Sequence, residues 1–132
     1  MSIGDYKKQK GAAAVEFAII LPIMLVLVFG IVQFGFILNG IITITSAARE
    51  GARLAVVNTD DELVKNRVED TSVGLLLKVE RNDIVVNREI GDGKLSVTVD
   101  GNVDVIVPLL GIAIGDSFPL SSECIMRIEQ EN

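Results

Sequence analysis

Few residues in this chain can do chemistry, and one of them stands in an unexpected place. Glu16 heads a run of 32 consecutive residues, Phe17 to Ala48, that holds no Asp, Glu, Lys or Arg. An ionisable side chain at the edge of an apolar helix is costly unless it is paired or reaches water. Taken alone, such a carboxylate would simply mark an interface. Its surroundings point further: Lys7, Lys8 and Lys10 come first, then Gly11, then Ala12, Ala13, Ala14 and Val15, with Phe17 following the acid. A cut between Gly11 and Ala12 would remove all three lysines and create an ammonium on Ala12. That ammonium would lie one helical turn, roughly 6 Å, from Glu16. It could neutralise the carboxylate within one chain or link it to a neighbour.

Other candidate chemistry is sparse. The chain has no His, which removes Ser-His and Cys-His nucleophile pairs, histidine metal sites and imidazole acid-base chemistry. A single cysteine, Cys124, can form neither an intrachain disulfide nor a thiolate cluster. Asp100, Asn102 and Asp104 offer oxygen ligands at alternate positions, but a calcium loop needs a longer frame closed by a Glu. Acids in turns account better for these and for Asp83, Asp92 and Asp116. Residues 58–132 hold 7 Lys/Arg against 15 Asp/Glu, so this region repels nucleic acid and anionic headgroups. The expectation is no catalytic residue, no cofactor, no metal, no nucleic-acid partner and no small-molecule substrate. A membrane-tethered enzyme has little room in such a chain.

The element that must position Glu16 is a helix. Thirty-two helical residues span roughly 48 Å, against about 30 Å of bilayer hydrocarbon. A removable secretory signal carries an apolar stretch of about 7–15 residues before small residues at its cleavage site. Here the run is far longer, and the small cluster Thr45-Ser46-Ala47-Ala48 lies at its end, which favours a retained helix. The leader lysines place the amino end in the cytoplasm and the acidic region outside the cytoplasmic (inner) membrane. Pro22 lacks an amide donor and crowds the carbonyl of Ala18, so a kink is expected there. Gln33, in mid-run, reads as a hydrogen-bonding residue between helices rather than as a substrate ligand. Beyond the bilayer, Arg49 and Arg53 share one face while Ala48, Ala52, Ala55 and Val56 cover another, so the helix should continue to about Val57.

Asn58-Thr59-Asp60 is an N-cap signal, and acids at 60–62 suit a first turn. An amphipathic helix is predicted from about Asp60 to Leu77, its end blurred by Thr71, Ser72 and Gly74. A β-branched run follows from Asp83 to Ile90, then a turn at Gly91-Asp92-Gly93 and alternating Leu95, Val97 and Val99. Asp100-Gly101-Asn102 reads as a bulge or another turn, with Val103, Val105 and Val107 continuing the parity. Phe118, Leu120, Cys124, Met126 and Ile128 share the parity of a last strand, with Cys124 pointing into the small core. The fold class is therefore α+β: a long amino-terminal transmembrane helix, then a helix packed on a three- or four-stranded antiparallel sheet.

Three segments taken in order resemble a known family. Gly11-Ala12-Ala13-Ala14-Val15-Glu16-Phe17-Ala18 with Leu21-Pro22, Phe29-Gly30-Ile31-Val32-Gln33-Phe34-Gly35, and Ala47-Ala48-Arg49-Glu50-Gly51-Ala52-Arg53 are similar to the TadE-like pseudopilins of tight-adherence (Flp-type) pilus systems. The run Leu120 to Glu129 looks like that family's closing strand, whereas Asp60 to Phe118 shows little likeness. Two departures stand out: Gln33 occupies a position where many relatives carry an acid, and Gly40 adds a glycine to Gly30 and Gly35. These glycines are either ordinary membrane glycines or part of a helix that bends on moving from bilayer to filament.

The resemblance implies a pilin-like organisation, with a prepilin-type leader at 1–11, a transmembrane and stalk helix at 12–57, and an extracytoplasmic α+β domain at 58–132. It implies that a membrane prepilin peptidase cuts after Gly11, with Ala12, Glu16 and Phe17 completing the signal and Glu16 becoming the fifth mature residue. Ala12, Glu16 and Gln33 would then serve subunit pairing. The partners would be the cytoplasmic membrane, the peptidase, other pilin-like subunits and the pilus assembly platform. The competing reading is a single-pass membrane-anchored binding or sensory module that never enters a filament and keeps its lysines.

Overall fold

The computed structural model describes residues 3–89, 93–107, 111–112 and 115–128. Helix α1 (Ile3–Val57) continues through Pro22 and reaches the end expected from the amphipathic pattern. Between Phe17 and Val32 it is apolar on every side, as a helix surrounded by lipid should be. Helix α2 (Asp61–Thr71) follows a three-residue turn, in which the Asp60 carboxylate accepts the Glu62 amide at 3.0 Å and the Asn58 side-chain oxygen accepts the Asp60 amide at 3.0 Å.

Helix α2 stops six residues before the predicted Leu77. Thr71 and Ser72 turn their hydroxyls back onto the carbonyls of Arg67 and Glu69, and the Ser72 amide caps the last turn. Such local bonds compete with helix continuation. The chain then crosses to strand β1 (Leu77–Lys78), passes a short 3-10 turn at Arg81–Asp83, and enters β2 (Ile84–Glu89). Strands β3 (Lys94–Asp104) and β4 (Ser117–Arg127) complete the sheet. The predicted turn at 91–93 lies largely outside the described residues.

Strand β3 is the centre of a four-stranded antiparallel sheet. Strand β4 pairs with it along its whole length, from Lys94↔Arg127 to Asp104↔Ser117. Strand β2 pairs with residues 94–99 and β1 with residues 102–103, so β2 and β1 lie end to end on the opposite edge. The register is one-to-one through Asp100↔Ser121, Gly101↔Leu120 and Asn102↔Pro119. The expected bulge or turn at 100–102 is therefore absent, and Asp100, Asn102 and Asp104 lie in an extended strand rather than a loop. Gly101 is explained by crowding: a Cβ there would stand 2.9 Å from Val79 Cγ2 and 3.1 Å from the Lys78 carbonyl oxygen.

The core lies between this sheet and α1. Leu95, Val97, Val99 and Val103 of β3 are fully buried, together with Ile44, Ala47, Ala48 and Ala52 of α1 and Val64 and Val68 of α2. The expected small domain of a helix and a four-stranded antiparallel sheet is present, with Val64 and Val68 of α2 in the core, and the second half of α1 adds most of the cover over the sheet. Cys124 is half-buried against the core, opposite Val97.

Candidate functional site

Helix α1 divides into two parts with different surroundings. From Gly11 to Leu25 every residue is exposed, including Ala12, Glu16, Phe17 and Pro22. Ala12 and Glu16 are four residues apart on continuous helix, so they share a face one turn apart. One window within residues 11–57 reaches a mean hydropathy of 2.8 with none of it buried, enough to cross a membrane.

From Gln33 onward one stripe of the helix is covered by the domain. Gln33, Ile37, Gly40, Ile44, Ala47, Ala48, Gly51, Ala52 and Ala55 recur at helical intervals and face the sheet or α2. Small residues let the backbones approach. A Cβ on Gly40 would stand 2.7 Å from Val103 Cγ2, and one on Gly51 would stand 2.4 Å from Val68 Cγ2. Gly40 thus has a packing reason, whereas Gly30 and Gly35 face open space. This division also resolves the excess length of the apolar run. Its first half is bare, and its second half is the seat of the domain.

Gln33 marks the boundary between the two. Only 2% exposed, it donates from Nε2 to the Asp104 carbonyl at 3.1 Å and accepts from the Ile106 amide at Oε1 at 2.9 Å. A buried amide with both functions satisfied has little left for another helix. The expectation that Gln33 bonds a neighbouring subunit is therefore corrected: in this structure its partner is the end of β3 in the same chain. Sequence reasoning missed this contact, which joins residues more than 70 positions apart.

Charged contacts hold the upper end. Arg88 of β2 reaches the Asp61 carboxylate and the Asn58 carbonyl (3.0 Å), tying the sheet to the α1–α2 turn. Arg67 pairs with Glu50 at 3.1 Å and Arg81 reaches Glu62 and Glu69, whereas Lys78 pairs with Asp104 at 2.7 Å at the foot of the domain, near Gln33. Arg49 and Arg53 point outward. Among the described residues no group of three or more His, Cys, Asp or Glu is placed to hold a metal ion.

Residues 11–53 match the family model described as TadE-like protein. The match spans both parts of α1, from the Gly11–Ala12 junction to Arg53, and includes the stripe that seats the domain. Over this segment the chain is similar to that family, and the matched residues include the three segments that carry the resemblance in the sequence. No curated protein and no solved structure matches the chain significantly.

Proposed function

We propose that this chain is a minor pilin-like (pseudopilin) subunit that takes part in assembling a tight-adherence, type IV-like pilus. The observation that carries the reading is the bare amino-terminal part of α1, which holds Gly11, Ala12, Glu16 and Phe17 in the order of a prepilin junction. A prepilin peptidase removes residues 1–11, and α1 then anchors the domain outside the cytoplasmic membrane with its amino end inside. The new Ala12 ammonium pairs with Glu16 of its own chain or of a neighbour. Pro22 gives the bare segment a point at which to flex. Beyond the bilayer, Phe34, Leu38, Ile41 and Ile42 stay exposed on the side of α1 away from the domain. That strip continues the lipid-facing surface and suits packing against other pilin-like subunits and the assembly platform. The role is structural rather than enzymatic.

Glu16→Val tests the pairing role. It leaves the scissile junction and the hydrophobic span in place, so insertion and cleavage should proceed. Breaking a charge pair in low dielectric strands the other charge at a cost of about 3–5 kcal/mol. At 1.4 kcal/mol per tenfold, association with other pilus components should fall by roughly two to three powers of ten. Co-purification of cleaved Glu16→Val protein with those components, and pilus counts on cells, give the readout. Normal assembly with normal cleavage would refute the pairing role.

A further inference from the structure

The loop joining β3 to β4 has a composition and a direction that the proposed role does not use. Strand β3 runs antiparallel to α1: Val97 lies beside Gly51, Val103 beside Gly40, and Asp104 and Ile106 beside Gln33. The chain is thus heading down α1, toward its bare segment, as it leaves β3. The Val105 amide donates to the Asp116 carbonyl at 2.9 Å, which closes the neck of the loop. Within the neck, residues 105–114 carry no polar side chain in the sequence. Gly111 and Ile112 lie in a helical turn, in which the Gly111 amide donates to the Val107 carbonyl at 3.0 Å. Ile106 is 47% exposed and Ile112 84% exposed.

The level at which this loop leaves the domain can be placed. Gln33 is 17 residues above Glu16 on continuous helix, or roughly 26 Å, close to the thickness of bilayer hydrocarbon. The neck is hydrogen-bonded to Gln33, so it sits where α1 emerges from the outer face of the bilayer. Exposed isoleucines at that level are better solvated by lipid than by water.

We infer that the β3–β4 loop is a second membrane contact, with Ile106 and Ile112 seated in the outer leaflet beside α1. The occupant of this surface is lipid: Ile106 stands exposed beside Gln33, where the bare apolar segment of α1 begins, and the flanking acids Asp104 and Asp116 stand at the neck. Such a foot would fix the tilt and rotation of the domain over the membrane before it leaves the bilayer. The inference rests on the reading that α1 spans a membrane, which the same experiment checks separately.

The chain contains no tryptophan, so one introduced indole reports alone. Full-length Ile112→Trp, Val85→Trp and Ile20→Trp proteins are reconstituted into phosphatidylcholine–phosphatidylglycerol vesicles. Each is titrated with aqueous iodide and, separately, with lipids brominated near the headgroup or near the chain end. All three sites are exposed, so the substitutions leave the core alone. The expected result for Ile112→Trp is blue-shifted emission, quenching by shallow-brominated lipid, and several-fold weaker iodide quenching than Val85→Trp. Iodide quenching equal to that of Val85→Trp overturns the inference. Protection from iodide without quenching by brominated lipid also overturns it, because the loop would then be covered by another copy of the chain. Ile20→Trp should be shielded from iodide and quenched by brominated lipid; quenching by iodide with none by either brominated lipid would bring down the spanning helix and the inference together.

Discussion

The Ile106 main-chain amide donates to the side-chain oxygen of Gln33 at 2.9 Å, joining two residues 73 positions apart. With the return bond from Gln33 Nε2 to the Asp104 carbonyl, this contact fixes where the domain stops and the bare helix begins. A polar residue inside an apolar run is thereby paired at the foot of the domain.

Gln33→Leu should insert as well as the native chain but hold its domain less firmly. Leaving a buried donor or acceptor unpaired costs about 1–3 kcal/mol. Thermal unfolding in detergent should show the loss, and hydrogen exchange should find the Ile106 amide deprotected. Unchanged protection at Ile106 would mean that another group holds this strand end.

Gly51 and Gly35 should respond in opposite directions. Gly51→Ala gains about 1 kcal/mol of helix propensity. It also drives a Cβ to 2.4 Å from the stiff, buried Val68 side chain, and overpacking typically costs about 1–3 kcal/mol. The expected net effect is a lower Tm. Gly35→Ala meets nothing within 4 Å, so it should be neutral or stabilising. Equal behaviour of the two variants in the same unfolding assay would contradict the packing described.

Arg88→Met should cost more than Arg67→Met. The Arg88 side chain is 20% exposed and bonds both the Asp61 carboxylate and a backbone carbonyl, whereas Arg67 is 55% exposed and bonds Glu50 alone. Hydrogen bonds to charged groups contribute about 1.5–3 kcal/mol, and exposed ion pairs roughly 0–1 kcal/mol. Urea unfolding of the two variants, at low and high salt, would rank them. Added salt should narrow the smaller effect first.

The sequence made some of this legible and hid the rest for physical reasons. Hydrophobic periodicity located α1 to its last residues and the alternation of Leu95, Val97 and Val99, because period and burial are local signals. The Asp60 cap was readable because its hydrogen bond spans two residues. The single long β3 was not, because Gly101 looks like a turn until β1 is seen crossing it at close range. The same holds for Gln33. Nothing local distinguishes an amide awaiting a neighbouring helix from one satisfied by a strand end 71 residues later. At the leader junction the residues themselves supply the reading, and the fold adds that Ala12, Glu16 and Phe17 stand bare on continuous helix.

The central claim is that residues 1–11 are a leader removed to produce a pilin-like subunit, and intact mass tests it most directly. Protein recovered from the membrane or pilus fraction of its native host should have lost the first 11 of its 132 residues and begin at Ala12. Gly11→Val should block the cut by crowding the backbone beside the scissile bond, and so retain the full mass. A native protein that keeps Lys7, Lys8 and Lys10 would contradict the pseudopilin account and favour a permanent membrane anchor.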